Sequence, residues 1–500
     1  VNYDQMSAPG AKKHLLTRSP AHPLIWVMLG VLVIGLALLP LHILAHVLGW
    51  GLALALALVD PVFGLYWAVL SVPVQELVHL PGGLSYTQAA MLIAVGAWGL
   101  RALAHPERPI VWGRLLPLWA ALLWVLLLAT SFTPYSRAEA FKETLRWAEA
   151  FLVWLLAVNT LKKPWHIAGL VACLLLAPAA GAAIGLAQFA SGDGPPSFRI
   201  AAGSPFVRAY GTIGAPNSFA GYLNMAWPLA LALAVGAILD FRFQILDLRT
   251  SPQSKIKNQK SKMFLVLGSW FLALLLLTAL AASFSRGGWV GAAIGLLAMT
   301  IALGRPLARW AVAAVGVGAL LLALGGAGLL PQPIAARLAS ITRSVSIFDA
   351  ASVHVTDENF AVVERMAQLQ AGWRLFAAHP LVGVGPGNFN AAYPDFAVVP
   401  WYASRGHAHN YYLHMAAEAG VVGALAYLAL LAGVSYQALV ALRRANGTFW
   451  RSIVVGCCGM IAATAGHDLF ENLHVLSMGV QLAAVWGLIS AIGNTERVNG

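Results

Sequence analysis

The chain has 500 residues, of which 59% are hydrophobic and only 10% charged. A soluble domain carries about 25% charged residues, so this chain has too little charge to solvate a globular surface of its size, and lipid must be the solvent for most of it. The net charge of +12 would suit nucleic acid, but the basic residues are spread over alternate loops, which argues against a nucleic-acid partner.

Apolar runs that can cross a bilayer, about 20 residues each at helical rise, recur from Pro23 to Ile492. They lie at 23–40, 42–59, 61–75, 86–104, 111–130, 145–161, 166–190, 216–240, 263–283, 288–303, 307–329, 408–441, 450–466 and 473–492. The expected fold is all-α: a polytopic transmembrane helical bundle of about 12–14 helices. Val1 to Ser19 is polar and carries Lys12, Lys13 and Arg18, like the start of a signal peptide. No small-residue cleavage site follows before the next apolar span, so an uncleaved first helix is expected.

Two segments elaborate this membrane domain. Asp240–Lys262, containing SPQSKIKNQKSK, is polar, basic and without hydrophobic periodicity, and reads as a flexible cytoplasmic linker. The stretch 330–407 reads as an extracytoplasmic loop between a transmembrane helical domain (1–329) and C-terminal transmembrane helices (408–500). Within it Ile334, Leu338, Ile341 and Val345 recur at helical spacing, as do Val362, Met366, Leu369, Trp373 and Phe376. Two amphipathic helices are predicted, the second stopped by Pro380, and such helices can lie on the membrane face as a lid. Three cysteines are too few for a disulfide framework, and Cys457 and Cys458, adjacent in an apolar span, read as packing residues.

The positive-inside rule sets the orientation. Lys12, Lys13 and Arg18, then Arg101, Arg108 and Arg114, Lys162 and Lys163, the basic residues from Arg242 to Lys262, Arg305 and Arg309, and Arg443, Arg444 and Arg451 fall in alternate loops. With all of these on the cytoplasmic side, both termini are cytoplasmic. The opposite loops hold Lys142 and otherwise arginines, among them Arg208, Arg286, Arg365, Arg374 and Arg405. These oppose the charge rule, and arginine is the better residue for gripping phosphate with a planar fork.

Five stretches fall on that external side: VRAYGTIGAPNSFAGYL around Arg208, ASFSRGGWVG around Arg286, HPLVGVGPGNF from His379, RGHAHNYYLHMAAEAGVVGAL from Arg405, and GHDLFENLH from Gly466. The Arg405–Leu425 stretch, with His409-Asn410 followed by Leu413, Glu418, Gly420 and Gly423, resembles the signature of the O-antigen ligase and polymerase superfamily. The SxSRGG stretch at Ser283–Gly288, the RxxGTxxxPNxxA pattern from Arg208, and the Pro380–Phe389 run are similar to the same superfamily. The resemblance covers about residues 200–430 and does not separate ligase from polymerase.

That resemblance implies transfer of a glycan from an undecaprenyl diphosphate-linked donor to a hydroxyl acceptor, on the outer face of the bacterial inner membrane. The implied partners are the lipid-linked glycan, a glycan, lipid or protein acceptor, membrane lipids and a chain-length regulator. Arg208 and Arg286 match family arginines that hold the diphosphate, with Arg405 a further clamp. His409 matches the family's catalytic histidine, and an imidazole of ordinary pKa near 6.5 can take a hydroxyl proton at neutral pH. His407 is its rival if the local chain is extended, and Glu418 is a candidate for catalytic support. Inversion at the sugar carbon is expected, with no cofactor or metal required, because guanidinium groups supply the charge that a metal supplies elsewhere.

Each of these residues also has a structural reading. Arg286 could snorkel to the headgroups, Arg208 could be a solvated loop arginine, and His407 and His409 could be helix-start histidines. Asn217 and Asn410 could cap helices, and Glu418, inside an apolar span, could serve only a structural pairing. Gly383, Gly385 and Gly387 lack the strand context of a nucleotide fingerprint and read as a tight turn. His467, Asp468 and Glu471 are weakly spaced for a metal site. The competing function is a lipid-linked oligosaccharide flippase or other transporter. Such proteins place charges at the midplane and often show inverted repeats, whereas here the charges gather at the external rim and no repeat is evident.

Overall fold

The structure, a computed structural model, describes residues 41–75, 80, 84–200, 203–247, 256–304, 329, 347–356 and 359–494. The chain divides into two compact units, 1–55 and 56–500. Helix α1 (Leu41–Val59) is a mostly apolar run that begins in the first. The second holds α2 (Pro61–Ser71), α3 (Tyr86–Ala104), α4 (Leu116–Phe132), α5 (Arg137–Thr160), α6 (Pro164–Ser191), α7 (Pro216–Asn224), α8 (Trp227–Asp247), α9 (Ile256–Ala282) and α10 (Arg286–Leu303). It continues with α11 (Phe360–Ala378), α12 (Phe389–Phe396), α13 (Tyr411–Arg444), α14 (Thr448–His467) and α15 (Met478–Asn494). No strand forms among the described residues, and six helical stretches are long and apolar enough to cross a membrane. The protein is a polytopic helical bundle.

Its outer surface is apolar, as lipid demands: Trp124, Phe271, Leu274, Ile301 and Leu425 are all exposed. Its interior is closed by rings and small residues. Trp119 packs between Trp154 and Trp486, with centroids 6.2 and 5.8 Å away, and the Trp154 indole donates to Ser490 Oγ (3.1 Å). Helix α10 lies close against α14 because Gly291 and Gly295 present no side chain there. A Cβ on Gly291 would stand 2.5 Å from the Ala463 carbonyl oxygen.

Two helices break where the sequence reads as continuous spans. The 216–240 run divides into α7 and α8 at Met225 and Ala226, where the freed Met225 carbonyl accepts from Gln481 Nε2 (3.2 Å). Helix α13 is interrupted at Gly420 (φ 68°, ψ −174°). Its freed carbonyls at Ala417 and Glu418 accept from the N–H groups of Val384 (3.0 Å) and Gly385 (2.8 Å), while Val421 N–H donates to the Pro380 carbonyl (2.8 Å). Backbone at membrane depth must be satisfied internally, and here a loop supplies what the helix gives up.

Hydrogen bonds gather distant loops at one end of the bundle. Ser136 N–H donates to Asn388 Oδ1 (3.1 Å), Arg208 Nε to the Ser283 carbonyl (2.8 Å), and Tyr411 N–H to the Asp468 carbonyl (2.7 Å). At the far end of α5, Asn159 and the Val111 backbone exchange two bonds (2.9 and 3.0 Å). The 24 residues of α5 span about 36 Å between these ends at 1.5 Å per residue, enough to cross a hydrocarbon core of about 30 Å.

The structure departs from the sequence reading in two places. The segment Asp240–Lys262, expected to be a linker, is helical at both described ends, since α8 runs on to Asp247 and α9 begins at Ile256. Continuation of the flanking apolar helices carries these polar turns beyond the apolar runs. The second amphipathic helix exists as α11, but its buried face is Val363, Ala367, Ala371 and Leu375, and Trp373 is exposed. The spans at 23–40 and 307–328 and the amphipathic stretch 334–345 lie outside the described residues.

Replacing Gly420 by alanine places a Cβ 2.1 Å from the Leu381 carbonyl oxygen at a backbone conformation reserved for glycine. Gly420→Ala should cost about 2–3 kcal/mol, read as a lowered thermal unfolding midpoint in detergent. An unchanged midpoint would mean that the helix break is not required.

Candidate functional site

The stretch between α12 and α13 turns sharply to deliver two imidazoles. His409 adopts a left-handed backbone (φ 52°), uncommon for a side chain of its size, and its N–H donates to His407 Nδ1 (3.1 Å). The next residue, Asn410, closes the turn by accepting from Leu413 N–H (3.0 Å), which caps α13. The strained turn is therefore fixed on both sides, by a histidine and by a helix cap.

Both imidazoles meet Glu471, a buried carboxylate in the irregular turn between α14 and α15. His407 Nε2 lies 2.9 Å from Glu471 Oε1, and His409 Nδ1 lies 3.4 Å from the same oxygen without hydrogen-bond alignment. On the other oxygen, Asn217 Nδ2 donates at 2.9 Å and an Arg365 guanidinium nitrogen stands at 3.6 Å. Asn217 also accepts from Arg208 Nη2 (2.7 Å). Arg208, Asn217, Glu471 and the histidine pair thus form one contiguous polar chain at the bundle end where the loops converge.

A pocket of about 220 Å³ opens beside this chain, lined by His409, Asn410, Arg286 and Arg365 together with Val362, Met366, Leu369 and Phe470. Arg286 is the first residue of α10 and is buried; Ser285 caps that helix by accepting from Gly288 N–H (3.2 Å). Arg365, Val362, Met366 and Leu369 come from one face of α11, so this amphipathic helix lines the cavity. Two guanidinium groups and an imidazole share one apolar-walled space, an arrangement suited to holding an anion beside a proton acceptor.

Burial holds the His409 imidazole down at about 4, against the upward pull of Glu471. His409 is therefore neutral at physiological pH, with a nitrogen lone pair available. Burial alone would raise Glu471, but its partners, His407 foremost, outweigh it and hold the carboxyl well below the ordinary range. Arg365 adds a permanent positive charge beside it. The resting arrangement is a carboxylate stabilised by its donors next to an uncharged imidazole.

The sequence-derived candidates divide into three groups. His409, Asn410 and Arg286 line the pocket. His407, Asn217 and Arg208 stand behind it in the polar chain, with the Arg208 guanidinium bonded to the Ser283 carbonyl and to Asn217. Glu418 and Arg405 are engaged elsewhere. Glu418 accepts from Gly387 N–H (2.7 Å) and Phe389 N–H (3.0 Å) and anchors the loop entering α12. Arg405 is half exposed and held by Glu364 through two nitrogens at 2.6 and 2.7 Å.

Two residues of the cluster, Arg365 and Glu471, were not legible as site residues. Arg365 registers in sequence only as an external arginine within an amphipathic pattern. Glu471 registers only beside His467 and Asp468, yet its partners are His407 and His409.

The donor atoms of His407, His409 and Glu471 lie within 4.8 Å of one another, a spacing that a metal ion could use. Both carboxylate oxygens already have partners, and Arg286 and Arg365 line the adjoining pocket. A divalent cation would meet that positive field, so the cluster's charge balance favours an anion.

Removing the Glu418 carboxylate would strand the buried Phe389 N–H and the partly buried Gly387 N–H. Glu418→Ala should therefore destabilise the fold by about 3 kcal/mol, seen as a lower unfolding midpoint. A midpoint equal to that of the parent chain would return Glu418 to the list of chemical candidates.

No curated protein matches the chain significantly. Residues 271–428 match the family described as O-antigen ligase, a stretch running from within α9 through Arg286, Arg365 and the histidine turn into α13. That stretch, 271–428, is similar to the O-antigen ligase family, and it lies in a polytopic helical membrane bundle.

Proposed function

We propose that the chain transfers a glycan from an undecaprenyl diphosphate-linked donor to a hydroxyl acceptor, with Arg286 and Arg365 holding the diphosphate and His409 accepting the acceptor proton. The observation that carries this reading is the shared pocket: two guanidinium groups and a neutral imidazole face one cavity. With its Nδ1 turned toward Glu471, His409 takes the proton on Nε2. The acceptor oxygen then bonds to the anomeric carbon from the side opposite the diphosphate, and the bond between that carbon and the diphosphate oxygen breaks. The leaving diphosphate gathers negative charge, which preorganised guanidinium groups stabilise. Glu471 stabilises the imidazolium as it forms, and the configuration at the sugar carbon inverts.

In this reading Arg208 acts from behind the pocket. It orients Asn217, which orients Glu471, so the arginine farthest from the cavity fixes the carboxylate that supports the base. The site end faces the extracytoplasmic side of the bacterial inner membrane, with 330–407 as its outer loop and the termini in the cytoplasm. The support is charge: Lys162 and Lys163 lie at the other end of α5, as the positive-inside rule expects of a cytoplasmic loop. The acceptor class, glycan, lipid or protein, is set outside this cluster.

His409→Ala should lower kcat by roughly 10²–10⁴ in an assay that follows release of undecaprenyl diphosphate from a lipid-linked oligosaccharide. Translocation of the donor with no release would sink the transfer reading in favour of a flippase. Arg286→Glu should abolish turnover in protein that still inserts and folds, because reversal places a carboxylate against the diphosphate. Wild-type turnover would remove Arg286 from the site.

The pH profile tests the base directly. His409 is active when neutral, and its value of about 4 lies below the free imidazole value of about 6.5. Activity should therefore persist as pH falls through 6.5 and decline only near 4. An acidic limb of kcat/KM close to 6.5 would place the essential base in a different environment.

A further inference from the structure

At the opposite end of α5 from the catalytic pocket, a second cavity of about 220 Å³ opens among α2, α3, α5 and α6. Its wall carries four permanent cations, Arg101, Arg108, Lys162 and Lys163, against one carboxylate, Asp60. Three loops that the sequence separates bring these charges together, and nothing in glycan transfer at the other end uses them. Helix α6 begins at the same place without a side-chain cap, so the positive end of its dipole adds to the field.

The floor of this cavity is different in kind. His166 is only 4% exposed, and its Nε2 has no hydrogen-bond partner, lying 3.5 Å from Asp60 Oδ2. Its Nδ1 lies 2.7 Å from the Thr160 carbonyl oxygen, which can only accept, so Nδ1 carries the proton. In the neutral ring Nε2 therefore presents a lone pair. Cations at the rim and two acceptors at the floor, His166 Nε2 and the Asp60 carboxylate, match an anionic phosphodiester that carries hydroxyl groups.

The surroundings point to a lipid as the source. Leu100, Leu103, Val111, Trp112 and Trp165 are exposed on the elements that form the cavity. Tryptophans with aliphatic neighbours mark the level where a bilayer meets water, and basic pockets between transmembrane helices suit anionic headgroups.

We propose that this cavity binds the headgroup of an anionic glycerophospholipid, its phosphate held by Arg108, Lys162 and Lys163 and its glycerol hydroxyl by Asp60 and His166. A zwitterionic ethanolamine headgroup brings its own ammonium into a wall of four cations and is disfavoured there. The proposal is independent of the transfer reaction and stands whether or not that reading holds.

The test is competition for the full chain purified in detergent, read by native mass spectrometry with equal amounts of phosphatidylglycerol and phosphatidylethanolamine. Phosphatidylglycerol should be retained preferentially. Lys162→Gln with Lys163→Gln should weaken its retention roughly 30-fold, at about tenfold or less for each surface cation, and the matching double arginine variant should restore it. Both lysines are exposed, so folding should survive, and Arg108→Gln gives the same reading if it does not. Equal retention of the two lipids, or unchanged retention in the glutamine variants, would overturn the proposal. So would full displacement of phosphatidylglycerol by millimolar inorganic phosphate, which would make this a site for small anions.

Discussion

The arrangement of the site depends on one buried carboxylate. Glu471 is almost fully enclosed, and an ionised group in such a place is tolerated only when its oxygens are matched by donors. The donors come from three regions of chain: Asn217 from α7, Arg365 from α11, and His407 with His409 from the turn before α13. Satisfying a single charge therefore fixes the relative placement of segments more than 250 residues apart in sequence, as the separation of 254 between Asn217 and Glu471 records. Arg208 extends the same constraint by one bond, through Asn217.

A second constraint is set by lipid. Helix α13 must break at Gly420 for the chain to pass the Pro380–Gly385 loop, and an open break in a bilayer would leave carbonyls without donors. The loop's own N–H groups fill that need at Ala417 and Glu418, and the Glu418 side chain takes two more from Gly387 and Phe389. The glycines at 383, 385 and 387 all have positive φ, and at Gly383 a Cβ would stand 2.3 Å from the Glu418 backbone. The run that superficially resembles a nucleotide fingerprint is thus a backbone plug for a broken helix. Glu418 belongs to that plug, which explains a carboxylate inside an apolar span.

The architecture was legible because its signals are local. Apolar run length located the helices, and the SRGG and His409-Asn410 stretches pointed to residues that do line one pocket. What escaped was pairing over distance. Glu471 reads in sequence as one acid among three ionisable neighbours, and no spacing announces that histidines 62 and 64 positions earlier will meet it. Arg405 sits beside those histidines and reads as a third clamp, but two of its nitrogens donate to one carboxylate oxygen of Glu364 on α11. Arg365 was hidden for the opposite reason. It lies in an amphipathic helix whose apolar stripe suggests a membrane-facing lid, while Val362, Met366 and Leu369 of that stripe line the cavity together with the arginine.

The charges in the proposed reaction explain why a neutral histidine belongs next to an ionised glutamate. Before transfer, the pocket end holds a carboxylate offset by Arg365, an uncharged imidazole and, once donor is bound, a diphosphate facing Arg286. As the acceptor proton moves to His409, the new imidazolium forms within 3.4 Å of Glu471, while negative charge grows on the departing diphosphate facing the guanidinium groups. Each developing charge thus appears opposite a fixed charge of the other sign, in a space where apolar walls from α11 limit screening by water. An imidazolium present from the start would pair with Glu471 in the ground state and forfeit that gain, so the burial that lowers His409 reserves the attraction for the transition state.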